Sequence, residues 1–254
     1  MRLAPGAAAI GQSLRTYYAP GRAARLDRLL GRFLGPGGLG LDIGAHVGDR
    51  AASFRRLGAR AVAVEPQPRL CRLLRLLFRR DPGVRLEAAL VGAAGGEAAL
   101  HLNSANPTVA TASADFVLAA AGAEGWREQR WDATLTLPVT TLDALVARHG
   151  RPDFIKIDVE GFEAEALAGL TWPVPALSFE FTTLQRAVAR QALARLAGLG
   201  AYRFNASLGE SLSLALPGPV SAVAMAGWLD SLPDAANSGD VYASLEPDRL
   251  ACDR

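Results

Sequence analysis

Between positions 154 and 163 the chain reads FIKIDVEGFE, and this short segment gathers the groups best suited to chemistry. Asp158, Glu160 and Glu163 follow Lys156, the only lysine among 27 basic residues. Phe154, Ile155 and Ile157 are bulky or β-branched and are bounded by Pro152 and Gly161, the pattern of a strand buried on both faces of a parallel sheet. Lys156, Asp158 and Glu160 alternate with them, so a period of two is expected to place three polar groups on one side at the strand end. A carboxylate so placed can orient or remove the proton of a substrate hydroxyl. Asp158 is the first candidate for that catalytic role and Glu160 the second. Lys156 is the group that tunes or anchors them, a compact ammonium where every other basic residue is arginine. The competing reading is an internal Lys156–Asp158 ion pair, because ion-pair networks also gather such charges.

A second segment, LDIGAHVG at 41–48 followed by AVAVEP at 61–66, reads as strand, glycine turn, helix, strand and acid. Gly44 and Gly48 permit a close backbone approach where the helix from Asp49 begins. Glu65 closes the next strand about 20 residues after the turn, where an acid in such a unit accepts the two hydroxyls of a ribose. A nucleoside-containing cofactor is therefore expected. A dinucleotide fingerprint requires glycine at the position held by His46, so that pyrophosphate can descend onto backbone amides. Asp42, Glu65, Asp158 and Glu160 all fall at or near the carboxyl ends of strands. Such an acid-rich edge opposes a polyphosphate but suits S-adenosylmethionine (SAM), which carries a sulfonium, an ammonium and no phosphate. The expected cofactor-binding set is Asp42, Gly44, His46, Gly48, Glu65 and Asp158.

With VEPQP at 64–68, EAALVG at 87–92, PVTTLD at 138–143 and SFEF at 178–181, these blocks resemble, in order over residues 38–183, the FkbM-type SAM-dependent methyltransferases. The resemblance is most specific in KIDVEGFE. It implies a class I methyltransferase (Rossmann-like) fold, an α/β architecture with a doubly wound, mostly parallel sheet. It further implies SAM held at Gly44, Gly48 and Glu65, and methyl transfer to a hydroxyl oxygen, often of a sugar or a polyketide-type natural product. His46 stands where that family often carries asparagine. Two other functions stay open on the sequence: a nicotinamide-dependent oxidoreductase, against which His46 counts, and a non-catalytic subunit with the SAM-binding fold.

The order of elements agrees with a parallel sheet. Helices are expected over 22–34, 49–57, 66–80, 141–149, 163–170 and 185–199, strands at 176–181, 202–204 and 241–243, and strand alternating with helix is the doubly wound pattern. Thr141 is the expected cap of its helix. Residues 1–36 read as an N-terminal helical extension and 37–254 as the methyltransferase domain, with insertions near 103–137 and 207–239 over the ligand edge. Trp126, Trp131 and Trp228 in those insertions either line an acceptor pocket or form satellite apolar clusters. Asp158 and Glu180 should end neighbouring strands and together offer hard oxygen ligands to Mg²⁺ or Ca²⁺. Two carboxylates are few ligands, and the expectation is no metal, with Glu180 accepting backbone or arginine hydrogen bonds.

Composition narrows the partners. Half of the 254 residues are hydrophobic, 20% are charged, and the net charge is +2, too small to argue for a polyanionic partner. Arg69, Arg72, Arg75 and Arg79 line a helix without interleaved aromatics, which reads as a solvated face and not as a nucleic-acid surface. No apolar run reaches the roughly 18 residues of a membrane span, Arg2, Pro5 and Gly6 make a poor secretion signal, and two cysteines make no disulfide framework. The expected setting is cytoplasmic, with a small-molecule or glycan hydroxyl as acceptor and neither nucleic acid nor membrane as partner.

Overall fold

The computed structural model describes residues 5–252, so the first four residues of the expected N-terminal extension, Arg2 among them, and the last two of the chain lie outside the described residues. Helices α1 (Pro5–Tyr17) and α2 (Arg22–Leu30) come first, followed by β1 (Leu39–Ile43), α3 (Asp49–Arg56), β2 (Arg60–Val64), α4 (Pro68–Leu77) and β3 (Val84–Glu87). The middle of the chain forms β4 (Leu90–Val91), β5 (Gly96–Leu102), α5 (Ala114–Gly122), β6 (Ala133–Thr140), α6 (Leu142–His149), β7 (Phe154–Ile157) and α7 (Glu163–Ala168). It ends with β8 (Ala176–Thr182), α8 (Arg186–Leu199), β9 (Arg203–Leu208), α9 (Ala222–Ser231) and β10 (Ser238–Ser244).

A seven-stranded sheet runs β3-β2-β1-β7-β8-β10-β9. Its neighbours pair in parallel except for β10, which is antiparallel to both β8 and β9. This is the doubly wound, mostly parallel α/β sheet of class I methyltransferase type that the resemblance implies. From β1 the chain winds outward through β2 and β3, then returns to β1's other edge as β7. The order therefore reverses between β1 and β7, and a crevice opens there beyond the strand ends.

Local sequence explains most of the elements. All residues of β1 and β7 are buried, the apolar Leu39, Leu41, Ile43, Phe154, Ile155 and Ile157 as central strands demand and with them the charged Asp42 and Lys156. Leu26, Leu29 and Leu30 on one face of α2 pack with Phe33 and Leu34 against Phe54 and Phe154, which ties the N-terminal segment into one layer of the core. In α4, Leu70 and Leu74 are buried but Leu77 is 45% exposed, so this helix closes three residues short of its expected end. Arg69, Arg72, Arg75 and Arg79 are all exposed. The Thr141 hydroxyl accepts a hydrogen bond from the Ala144 amide at 3.0 Å, capping α6.

Within the block at 87–92, Glu87 ends β3 and Leu90–Val91 form β4, which joins β6 and β5 in a separate three-stranded sheet. The structure corrects one expectation. Residues 133–137, taken above as part of an insertion, form most of β6, in which Leu135, Leu137 and Val139 alternate with more exposed neighbours. That alternation is a strand signal. Phe116 takes Trp126 and Trp131 edge-on at 5.2 and 6.1 Å, and the Trp131 indole donates to the Val109 carbonyl at 2.9 Å. Trp228 packs on Phe181. Trp126 and Trp131 thus form a satellite apolar cluster, Trp228 packs on the main core, and none of the three lines the cleft at the strand ends. Cys71 and Cys252 are both free, and among the described residues no helix is long and apolar enough to cross a membrane.

Ile155 is fully buried at the centre of the sheet, between β1 and β8. Ile155→Ala should lower the unfolding free energy by about 2–5 kcal/mol, read as a shift of the urea midpoint at unchanged slope.

Candidate active site

The carboxyl ends of β1, β2, β7 and β8 border a cleft enclosing about 1100 Å³ of empty space, part of it open to solvent. One end is apolar, lined by Leu90, Val91, Leu100 and Pro107. The other is charged, lined by Asp49, Arg50, Asp158, Glu160, Glu180, Glu210 and Asp240. Pro107, Thr108, Ala110 and Ala112 also line the cleft, as do Gly209, Glu210, Ser238, Gly239 and Asp240 from the later part of the chain.

The glycine turn is held by its own backbone. The Gly44 and Ala45 amides donate to the Val64 carbonyl at 2.9 and 3.0 Å, the His46 amide to Glu65 Oε2 at 2.9 Å, and the Gly48 amide to the Ala45 carbonyl at 2.7 Å. Those donors are spent inside the loop, so it offers no cradle of free N–H groups to a pyrophosphate. Gly44 has φ +79°, and a Cβ there would overlap the Asp158 carbonyl oxygen. Gly44 is required for contact between the turn and the end of β7. Gly48, at φ +80°, lies outside the cleft lining; a side chain there would strike Leu74 and Phe78 of the α4 region.

Glu65 is buried and lines the cleft. Its other oxygen accepts from the Gln67 amide at 2.8 Å, and burial pushes its carboxyl up to about 7 against these two donors. His46 (φ +47°) turns its ring into the cleft, edge-on to Tyr17 at 5.5 Å, and burial pushes the imidazole down to about 4. It is neutral at physiological pH. Asp42 lies beneath the turn and not in the cleft lining. Its Oδ2 accepts from the Ala51 amide at 3.1 Å, and its Oδ1 is buried with no partner.

The three polar groups of the KID segment do not share one face of a strand. Regular pairing ends at Ile157, and Glu160 and Gly161 both adopt left-handed backbone (φ +53° and +86°), which folds Glu160 back over the strand end. Glu163 secures that turn, its Oε1 accepting from the Val159 and Gly161 amides. The Thr111 hydroxyl holds the Glu160 carbonyl at 2.6 Å. As a result Asp158, Glu160 and Glu180 gather oxygen atoms within 4.8 Å of one another, close enough for one hard cation to touch all three. Lys156 lies behind them, outside the lining, paired with Asp158 at 3.3 Å and, more closely, with Asp240. The internal ion pair and the acidic cluster are thus both present.

This arrangement separates the acids. Burial pushes Glu160 and Glu180 well above the usual carboxylate range, with Asp158 adding repulsion. Burial raises Asp158 as well, but Lys156 and Arg50 outweigh it and hold the carboxyl below its ordinary value, and Glu180 hydrogen-bonds to it.

Among the lining residues that escaped the sequence reading are Tyr17, Arg50, Glu210 and Asp240. Arg50 carried a signal, an arginine in the first turn of a helix where the dipole disfavours it. Asp240 is an acid inside an otherwise apolar strand. Tyr17 and Glu210 come from segments with no motif, and only folding brings them to the cleft. Arg22, paired with Asp49 at 2.7 Å and with Glu210, stacks over the Tyr17 ring at 5.0 Å and fastens both to the start of α3.

Asp42 provides a pH test of this buried electrostatics. Burial pushes its carboxyl from 3.8 up to about 7, so between those values only the native state keeps the proton and stability falls as pH rises. Asp42→Asn removes that titration. The urea midpoint of the wild type relative to Asp42→Asn should therefore drop between pH 5 and pH 8; a constant difference would mean that Asp42 is not buried in this way.

No curated protein matches the sequence. Among solved structures, methyltransferase FkbM from Methylobacillus flagellatus KT is similar at 14% identity and a TM-score of 0.49, with 82% of this chain and 43% of that chain covered. This chain thus spans less than half the length of that one. A TehB-like SAM-dependent methyltransferase from Corynebacterium glutamicum is similar at 14% identity and a TM-score of 0.45 over 93% of this chain and 96% of that one. The O-methyltransferase from Bacillus cereus, in complex with SAH, is similar at 12% identity and a TM-score of 0.46 over 94% and 91%. The family model of the methyltransferase FkbM domain matches residues 42–193, more than half of the chain and the stretch that holds the glycine turn, Glu65 and the three-carboxylate cluster. The chain belongs to the FkbM methyltransferase family.

Proposed function

We propose that this methyltransferase transfers the methyl group of SAM to a hydroxyl oxygen of a small-molecule or glycan acceptor, such as a sugar or natural product. The observation that carries this reading is the carboxylate cluster at the strand end, where Asp158, Glu160 and Glu180 converge in the cleft: Lys156 and Arg50 hold Asp158 below its ordinary value, while burial pushes Glu160 and Glu180 beside it up. Environments that push neighbouring carboxyl groups apart assign them different proton-handling roles.

The cleft suits SAM. Glu65 is placed to accept the ribose hydroxyls, the apolar end at Leu90, Val91, Leu100 and Pro107 to take the adenine, and the glycine turn to run beside the sugar and the methionine portion. Its carboxylates favour a sulfonium and an ammonium, and its committed loop amides do not invite phosphate. Asp42 and Gly48 support this turn from below and hold it in shape. Bound SAM supplies an electrophilic methyl group on a positively charged sulfur.

The protein's part is to present and deprotonate the acceptor. Asp158 orients the acceptor hydroxyl and takes its proton as the O–CH₃ bond forms, the S–CH₃ bond breaks and S-adenosylhomocysteine (SAH) departs. Lys156 keeps Asp158 charged and fixes its position from behind, and Glu180, hydrogen-bonded to Asp158, stabilises the carboxylate. Glu160 bounds the same space as a second acceptor contact.

Calorimetry with SAH and a methyl-transfer assay over a panel of sugars and small polyols test this function. Glu65→Ala should weaken SAH binding by about 1.5–3 kcal/mol, the range of a charge-assisted hydrogen bond. Asp158→Asn should keep SAH affinity while methyl transfer falls by about 10²–10⁴-fold. An Asp158→Asn enzyme with wild-type turnover would remove Asp158 from the mechanism.

A further inference from the structure

One charge of the cofactor has no counterpart among the residues assigned so far, and the inference drawn from it rests on the SAM reading above. SAM carries an amino-acid carboxylate as well as its two cationic groups. Asp49, Glu65, Asp158, Glu160, Glu180, Glu210 and Asp240 line the cleft, and a carboxylate entering among them meets repulsion. Arg50 is the one guanidinium among the described lining residues.

Arg50 is poorly satisfied by the protein itself. Its side chain is only 13% exposed, and its five N–H groups need acceptors. Among the described residues it makes one hydrogen bond, to Oδ2 of the adjacent Asp49 at 3.3 Å, and a looser approach to Asp240 at 3.9 Å. Both acids have closer cations: Arg22 holds the same Asp49 oxygen at 2.7 Å, and Lys156 holds Asp240. Arg50 is also the second residue of α3, where the positive end of the helix dipole opposes a cation. The acids around it keep this guanidinium charged, yet most of its N–H groups are not committed to a protein acceptor, and it faces the ligand cleft.

Its place in the fold selects the ligand group. Glu65 ends β2, and the apolar end of the cleft lies toward β4 and β5. Arg50 sits on the opposite side, close to Asp240 of β10, which pairs with Glu180 of β8. A nucleoside with its ribose at Glu65 and its base at the apolar end directs its 5′ tail toward the β7–β8 side. We infer that Arg50 binds the amino-acid carboxylate of SAM with its guanidinium fork and is the anchor of the methyl donor's tail. The geometry favours a bidentate pair, which adds direction as well as charge.

The competing role, in which Arg50 only balances the surrounding acids, makes the opposite prediction for one ligand series. Calorimetry on the full chain compares SAH, its decarboxylated analogue and 5′-methylthioadenosine, which lacks the amino-acid group. With Arg50 as the anchor, the wild type binds SAH about 10–100-fold more tightly than decarboxylated SAH. An acidic cleft without such an anchor favours the decarboxylated analogue, whose net charge is positive. Arg50→Met should remove the preference for SAH while leaving 5′-methylthioadenosine binding unchanged, and Arg50→Lys should keep part of it. Equal or stronger binding of decarboxylated SAH by the wild type overturns the assignment without need of any variant, as does an Arg50→Met protein that weakens all three ligands alike. A wild type that binds neither SAH nor 5′-methylthioadenosine overturns the SAM reading itself, and this assignment with it.

Discussion

Gly44 and Asp158 meet backbone to backbone, and this contact couples the two halves of the site. The turn after β1 passes so close to the end of β7 that no Cβ fits at position 44. The Asp158 amide donates to the Ile43 carbonyl at 2.9 Å, and the Gly44 and Ala45 amides reach across to β2. The glycine turn after β1, Glu65 after β2 and Asp158 after β7 therefore form one unit. A site built on strand ends holds its groups more closely than one built on loops alone. The left-handed positions at Gly44, His46, Gly48, Glu160 and Gly161 cluster around it, as unusual backbone does where surrounding structure enforces a functional shape.

Around this unit the protein buries far more negative charge than a stable core requires. Asp42, Glu65, Glu160 and Glu163 are all buried, and burial raises each of them. Lys156 from behind the strand ends and Arg50 from the start of α3 moderate that cost at Asp42, and Lys156 does so at Glu160, while Arg22 at the start of α2 pairs with Asp49 and Glu210. Arg22 also links parts of the chain far apart in sequence, since Asp49 and Glu210 share its guanidinium and Tyr17 lies under it. Through it, helices that precede the matched family domain complete the wall of the cleft. Charge burial of this kind is retained at functional sites although apolar replacements would pack more favourably.

The sequence by itself determined the sheet type and the centre of the site, because both depend on short-range pattern. The largely apolar segments at 39–43 and 154–157 specify central parallel strands, the glycines at 44 and 48 specify a turn, and Glu65 and Asp158 end up at strand ends because the segments before them stop there. The Thr141 cap and the buried face of α2 were legible for the same reason. Tertiary structure alone decided the rest. Lys156 left the cleft because its ammonium found Asp240, a partner 84 residues away across β8. Glu160 joined Asp158 because of a left-handed turn held by Thr111 and Glu163, not because of strand alternation. The tryptophans turned to Phe116 and Phe181, whose positions no local pattern specifies. Tyr17, Glu210 and Asp240 reached the cleft only when the two ends of the chain closed over the strand edge, since long-range packing and electrostatic pairing carry no local signature in the order of residues.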